Sequence, residues 1–401
     1  MKILMICEFF DDALDYQENM LARAYSKLGH DVSVIASTIE SIEDYVADLD
    51  RGKGQYSQQS YEWGRLYRVP FSFNLLNRIK RFAPLTELIT TIGPDLLFFH
   101  DIIPNLNEGV RYVAQHPSCA MIMDYHADVT NSGANWLSRQ VLHGIIRRRI
   151  LNGARPHLRK IFPVTPGSTE FLSTLYGVPE HEMELLPLGT DQEYARCIME
   201  GNARQRIRGA LNIPIDTLTV FTGGKFTPLK QTEEVIHAFH MHPDLPIRAI
   251  IIGGSDRAYP EYGLRIQELA RSDDRLHFVG WQDREGVYSH MAASDLAIFP
   301  ASQSVLWQQS LGMGLPLIVS EQSQQIRGTT SVRYLDRHAN LQILDSARPF
   351  AEQIGEQLHK LVSDRALLAR MSQGALKTAA EMLDYKAIAE RTLACTYLPH
   401  W

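Results

Sequence analysis

Two lysines, Lys225 and Lys230, stand five residues apart in the run Phe221-Thr-Gly-Gly-Lys-Phe-Thr-Pro-Leu-Lys230. Ammonium groups at that spacing can close on a single anion. The apolar residues Leu218 to Phe221 predict a short buried strand, and Glu233 to His240 predict a helix. Between them, Gly223 and Gly224 predict a tight turn that lets the backbone approach a ligand closely. A helix N-terminus at such a junction adds partial positive charge. The guest that fits is a diphosphate. The competing reading is a pair of solvated lysines on a turn.

A second set of polar residues follows apolar runs elsewhere. His126 comes after the strand expected at 120–123 and is flanked by Asp124 and Asp128. With 15 histidines in the chain, a structural role competes with a functional one. Asn131 lies in the same loop, and Asp128 also suits a turn cap. Tyr16, Gln17 and Glu18 open the first predicted helix, where an acidic residue also suits the helix dipole. Trp281 follows a strand and reads either as an edge for a flat ring or as core. Trp307 reads as packing, and Glu321 as a substitute ligand for hydroxyls.

The elements that must position these residues alternate regularly. Strands are expected at 3–7, 30–35, 66–69, 95–100, 120–123, 160–164 and 183–186, with helices at 16–28, 75–92, 133–151 and 168–175. Residues 50–64 are polar and read as a surface loop. A linker and a helix occupy 191–215. Strands are then expected at 218–222, 247–253, 275–279, 296–299 and 316–319. Helices are expected at 231–241, 260–272, 285–293, 305–314 and 348–361, and a last one at 384–397. This is the pattern of two successive doubly wound α/β domains. The boundaries are 1–190, 191–380 and a C-terminal helix, 381–401, that crosses back to the first domain. Ligands of such sheets sit beyond the C-terminal ends of the strands.

Composition bounds the rest. The 401 residues exceed one ordinary core. With 45% apolar residues, 21% charged residues and a formal charge of −6, no overall basic field points to nucleic acid. Cys7, Cys119, Cys197 and Cys395 are scattered without metal-ligand spacing, as in a reducing cytoplasm. The opening Met1-Lys-Ile-Leu-Met-Ile-Cys7 reads as a buried strand rather than a signal segment. No apolar run reaches the ~18 residues of a membrane span. Arg147, Arg148, Arg149, Arg155, Arg159 and Lys160 form a local basic cluster, read either as a solvated helix face or as a contact for anionic lipid.

The order of motifs resembles the retaining glycosyltransferases of the GT-B fold, family 4, over essentially the whole chain. The resemblance rests on Met1-Lys-Ile-Leu-Met-Ile6 with Leu28-Gly-His-Asp-Val-Ser-Val34, and on Asp124-Tyr-His-Ala-Asp128. It continues through Phe162-Pro-Val-Thr-Pro-Gly-Ser168, Leu175-Tyr-Gly-Val-Pro179 and Leu186-Pro-Leu-Gly-Thr-Asp191. Gly224-Lys225 with Lys230, Ile251-Ile-Gly-Gly254, Phe278-Val-Gly-Trp281 and Ser310-Leu-Gly-Met-Gly-Leu-Pro316 complete it. The family's glycine-rich acceptor loop is replaced by Leu14-Asp-Tyr-Gln-Glu-Asn19. Its paired glutamates are also missing. Gln309 stands at the second, and Ala301, Gln303 or Ser304 at the first, depending on where the loop is shortened.

The resemblance implies two Rossmann-like domains facing across a cleft, with a nucleotide-sugar donor in the second and a saccharide or lipid-linked acceptor in the first. It implies catalytic roles for Lys225, Lys230 and His126. Donor contacts would come from Gly223, Gly224, Trp281, Gln303, Ser304, Val305, Leu306 and Gln309. Acceptor contacts would come from Tyr16, Gln17, Glu18, Asp128 and Asn131. It implies no metal or other cofactor, a UDP-sugar donor, and a cytoplasmic place, peripheral at the inner face of the membrane. An amide at Gln309 can bond hydroxyls but supplies no charge, so the same residues also fit a non-catalytic GT-B partner of another transferase.

Overall fold

The structure is a computed structural model that describes residues 1–12, 14–40, 54–75, 77–128, 132, 138–256, 258–301, 304–321 and 332–397. The chain divides into two units. One is Met1–Pro187 with Tyr385–Trp401, and the other is Leu188–Asp384, where the sequence suggested divides at 190 and 380.

The first unit is built on β1 (Lys2–Ile6), β2 (Asp31–Ala36), β3 (Ser57–Tyr61), β4 (Gly64–Arg68), β5 (Phe71–Leu75), β6 (Ile79–Phe82), β7 (Leu96–His100), β8 (Ala120–Tyr125) and β9 (Lys160–Pro163). Seven of them form one sheet in the order β3-β4-β2-β1-β7-β8-β9. All its pairings are parallel except β3 with β4. Without β3, the chain order across the sheet is the doubly wound 3-2-1-4-5-6. Alternate residues of the buried strands serve opposite faces. Leu4, Ile6, Leu97, Phe99, Met121 and Met123 join one core, while Ile3, Met5, Phe98 and Ile122 join the other. The C-terminal helix Tyr385–Ala394 packs into this second core through Tyr385, Ile388 and Ala389, with the Thr392 hydroxyl bonded to that of Tyr25.

The second unit contains β10 (Leu218–Phe226), β11 (Ile247–Ser255), β12 (Leu276–Gly280), β13 (Leu296–Phe299), β14 (Leu317–Ser320) and β15 (Leu341–Leu344). They form an all-parallel sheet in the order β12-β11-β10-β13-β14-β15, again 3-2-1-4-5-6. Each unit is therefore a Rossmann-like doubly wound domain, as expected. In each, the strand order reverses beside the first strand. The loops after β1 and β7, and after β10 and β13, open at these reversal points, where ligands of such sheets collect.

Several local expectations change. The helix expected at 75–92 is a hairpin, β5–β6, followed by a helix of only Thr86–Ile92. Leu75, Ile79 and Phe82 mimic helical spacing. The chain reverses instead because Asn77 takes φ +54° and its N–H bonds the Asn74 side chain at 3.1 Å. Part of the polar 50–64 segment is the antiparallel edge strand β3. Residues 183–186 make a single bridge to β9, at Ile161. There β9 ends in Pro163, which has no N–H to give. The segment expected as one helix over 133–151 begins, where described, as a π-helix, Ser138–Arg147, and continues as α-helix to Ala154. The strand β15 and the helix Arg365–Met382 were not anticipated.

Candidate active site

The glycines of the lysine run do not turn the chain. They lie inside β10, paired with β11 through Phe226↔Ser255. Gly223 and Gly224 have φ of +141° and +118°, and their neighbour Gly253 has +130°. A Cβ on Gly223 would stand 1.9 Å from the Ile252 carbonyl oxygen, and one on Gly253 1.9 Å from that of Gly224. Only glycine fits either place. The turn comes later, as a 3-10 segment Pro228–Lys230 closed by Gln231 at φ +48°.

That displacement separates the two lysines. Lys225 is 62% exposed, with Nζ 3.5 Å from Asp256 Oδ2. Lys230 lies along the glycine. The point where a Gly224 side chain would begin is 3.8 Å from Lys230 Cε and 3.5 Å from Leu306 Cδ1. Gly224, Lys230 and Leu306 thus surround one small space at the C-terminal end of β10. Lys230 keeps part of its surface in solvent, yet protein packs densely around it. That desolvation pulls its ammonium down to about 8.

Leu306 belongs to the helix Val305–Gly312 that follows β13. Ser304 caps it, its hydroxyl accepting from the Leu306 N–H at 3.4 Å. Trp307 is fully buried in the core, as expected. Gln309 is half-buried. Its neighbour Gln308 is buried, its amide 3.1 Å from the Tyr334 hydroxyl, and braces the helix start. Trp281 is no core residue. It follows Gly280, is 70% exposed, and its ring atom Cε3 lies 3.6 Å from the Cβ position of Gly254 at the end of β11. Glu321 is ion-paired with Arg333 at 2.8 Å. Gln303 lies outside the described residues.

In the first unit, the polar residues gather at the ends of β7 and β8, next to the start of the helix Gln17–Lys27. His100, the last residue of β7, pairs in register with Asp124, the last but one of β8. Asp124 Oδ2 is 2.7 Å from His100 Nδ1, 3.2 Å from His126 Nε2 and 3.4 Å from Gln17 Nε2. Burial alone would raise the Asp124 carboxyl, but the two imidazoles outweigh it and hold it well below the usual carboxylate range. His126 responds in kind. Burial would lower it, yet Asp124, with Asp101 and Glu18, raises it to about 9.

Tyr16 is 43% exposed at the helix N-cap and Glu18 is half-buried. Asp128 is buried against the N-terminus of the helix Pro166–Phe171, its Oδ2 3.5 Å from the Cβ position of Gly167. Asn131 lies outside the described residues. The sequence reading missed His100 altogether and treated Asp124 only as a flank.

The basic cluster disperses. Arg147 donates to the Arg78 carbonyl, Arg155 pairs with Glu182 at 2.7 Å, and Lys160 donates to the His181 carbonyl. Arg159 is half-buried, and Arg148 and Arg149 remain exposed. No described helix is long and apolar enough to cross a membrane.

Two Rossmann-like doubly wound units in one chain, with polar residues at the C-terminal ends of their strands, are the fold of the GT-B class of glycosyltransferases. The family model described as Glycosyltransferase Family 4 matches residues 19–194, somewhat less than half of the chain. Among solved structures, the chain is similar to sucrose-phosphate synthase from Thermosynechococcus elongatus at 16% identity, covering 98% of this chain and 97% of that one with a TM-score of 0.65. It is similar to HepE of Anabaena in complex with UDP at 14% identity, covering 98% and 99% with a TM-score of 0.69. An E. coli structure described as trehalose-6-phosphate bound with UDP-2-fluoro glucose aligns over 100% of both chains at 9% identity with a TM-score of 0.70. At these identities the likeness is one of fold. A comparison with curated sequences gives no significant match.

Proposed function

We propose that this chain is a retaining glycosyltransferase that moves a hexosyl group from a UDP-sugar to a saccharide or glycolipid acceptor, in polysaccharide or glycoconjugate synthesis. The observation that carries the reading is the meeting of Lys230, the bare backbone of Gly224 and the capped helix start at Ser304–Leu306. A desolvated ammonium beside backbone that no side chain covers is a seat for a diphosphate. The exposed ring of Trp281, at the end of the neighbouring strand, offers a face for the base. The similarity to HepE in complex with UDP supports uracil as that base.

In the reaction, the bond between the anomeric carbon and the diphosphate oxygen breaks, and a bond to the acceptor oxygen forms on the same face. The acceptor proton passes to the leaving phosphate. Lys230, and Lys225 more weakly, would stabilise the charge that develops there without a metal ion. His126, with Tyr16, Gln17, Glu18 and Asp128, would meet the sugar or the acceptor. The enzyme would work in the cytoplasm. Contact with the inner face of the membrane narrows to Arg148 and Arg149, with the exposed Val141 and Ile145 on the same helical stretch.

Calorimetric titration with UDP tests the reading, with Lys230→Ala as the discriminating variant. Loss of UDP binding in that variant is expected, and unchanged affinity would sink the diphosphate assignment. Gln309, an amide where the resembled family has a carboxylate, favours a second reading, a non-catalytic GT-B partner. UDP binding without donor hydrolysis or transfer over a broad acceptor panel would select it.

A further inference from the structure

The polar centre of the first unit is organised around one oxygen. Asp124 Oδ2 lies 2.7 Å from His100 Nδ1 and 3.2 Å from His126 Nε2, and accepts from the Gln17 amide nitrogen at 3.4 Å. Asp124 is fully buried and His100 is 6% exposed, but His126 keeps 32% of its side chain at the surface. A buried carboxylate is costly unless positive charge meets it. Here that charge comes from the two imidazoles. Burial lowers His126 and is opposed by Asp124, Asp101 and Glu18, while the charge on His126 in turn opposes that on His100.

We propose that Asp124 is a positioning residue which, with His100 buried against it, holds His126 as a fixed imidazolium, so that the first unit presents a cationic hydrogen-bond donor to an oxygen of the bound sugar. The contact with a sugar rests on the transferase reading above. The protonated His–Asp–His array does not.

The same three side chains form a set that could hold a metal ion. The distances favour protons. Zinc bound at its usual ligand distances in a tetrahedron would set neighbouring ligand atoms about 3.3 Å apart, wider than the 2.7 Å between His100 and Asp124. The Gln17 amide nitrogen, a donor, faces the same carboxylate oxygen. Two charged imidazoles against one carboxylate oxygen fit these distances.

The test is a pH titration of the full chain labelled with ¹³C-histidine, read by NMR, with His126→Gln to assign the resonance. His126 is expected to titrate near 9, against an ordinary histidine value of about 6.5. In Asp124→Asn it should titrate well below its wild-type value, because burial is then opposed only by the weaker pull of Asp101 and Glu18. Should that variant fail to fold, His100→Asn keeps the carboxylate, and His126 should stay raised in it. A wild-type His126 that titrates at or below the ordinary value overturns the proposal. So does elemental analysis that finds one tightly held divalent ion per chain, released by Asp124→Asn. The titration is independent of UDP binding, so failure of the transferase reading leaves it standing. Where turnover is measurable, Asp124→Asn should make kcat fall as pH rises from 6 to 8, with KM for the donor little changed. A pH profile identical to wild type, alongside a shifted His126, overturns the sugar contact.

Discussion

Lys225 directs its ammonium toward Asp256, Nζ to Oδ2 3.5 Å, while Lys230 lies along Gly224. Lys225 is thus largely solvated and already beside a negative charge. Exposed pairs of this kind contribute little, and freeing Lys225 for a diphosphate means giving up Asp256. The two lysines should therefore be unequal. Lys230→Ala is expected to weaken UDP binding by about 100-fold or more, in line with ~3 kcal/mol for a desolvated charge-assisted contact. Lys225→Ala should cost roughly tenfold or less. Asp256→Asn should tighten binding. Equal losses in the two lysine variants, by calorimetry, would contradict the asymmetry.

The depressed value of Lys230 has two consequences. Because burial penalises the ammonium, the folded state gives up the proton near 8, while the unfolded chain holds it to the ordinary lysine value of about 10.4. Below pH 8 both states carry the proton and the penalty is whole. Between there and the unfolded value it fades, so this residue's unfavourable contribution shrinks as pH rises. Lys230→Met should then raise the melting temperature at pH 7, by roughly 2 °C after allowing for partial solvent screening. The gain should vanish in strong base. UDP should also drive proton uptake at pH 8–9, seen as a dependence of binding enthalpy on buffer ionisation. No buffer dependence in wild type would remove Lys230 from the anion's vicinity.

The two doubly wound domains were legible because β1, β7, β8, β10, β11 and β13 are short apolar runs, each followed by a polar loop, whereas the order of the strands across each sheet was not. Misreadings arose where local pattern is ambiguous. Leu75, Ile79 and Phe82 have helical spacing, yet an asparagine turn reverses the chain. Gly223-Gly224 looks like a turn but is a strand that needs glycine because Ile252 passes too close. Lys230 and Trp281 could be named from motif order. The partnership of His100 with Asp124 could not. It depends on the register that sets His100 opposite Asp124 in β7 and β8, and interstrand register is not written in either strand alone.

Gly223 offers the sharpest test of β10. A Cβ there would overlap the Ile252 carbonyl at 1.9 Å, at a φ of +141°. Backbone would have to move, breaking the pairing that carries Gly224 and the approach to Lys230. Gly223→Ala should destabilise the protein by about 3 kcal/mol or more and abolish UDP binding. Chemical denaturation measures the first effect. A stable, fully binding Ala variant would show that β10 does not run through the glycines.

Trp281 should separate binding from folding. With 70% of its surface exposed, its removal costs little packing, and Trp281→Ala should change stability by no more than about 0.5 kcal/mol. A base stacked on the ring would contribute roughly 1–3 kcal/mol. UDP affinity should then fall by about tenfold or more, while affinity for inorganic pyrophosphate stays the same. Parallel losses for both ligands would place Trp281 outside the base site.

The His–Asp–His array makes stability fall on the alkaline side. His126 is raised to about 9 and His100 is also raised. What these protons contribute is whole below the ordinary histidine value of about 6.5 and is lost as pH climbs through the folded-state values. Asp124, held below the usual carboxylate range, contributes above the ordinary carboxylate value of about 3.9 and loses that only in strong acid. Wild-type melting temperature should therefore decline between pH 7 and pH 9.5 through this cluster, while Lys230 acts in the opposite sense above pH 8. Lys230→Met isolates the two. In that background the alkaline decline should steepen, and adding His126→Asn should flatten it. Melting curves at half-unit pH steps decide the matter. A decline left intact by His126→Asn would mean that His126 is not protonated against Asp124 in the folded protein.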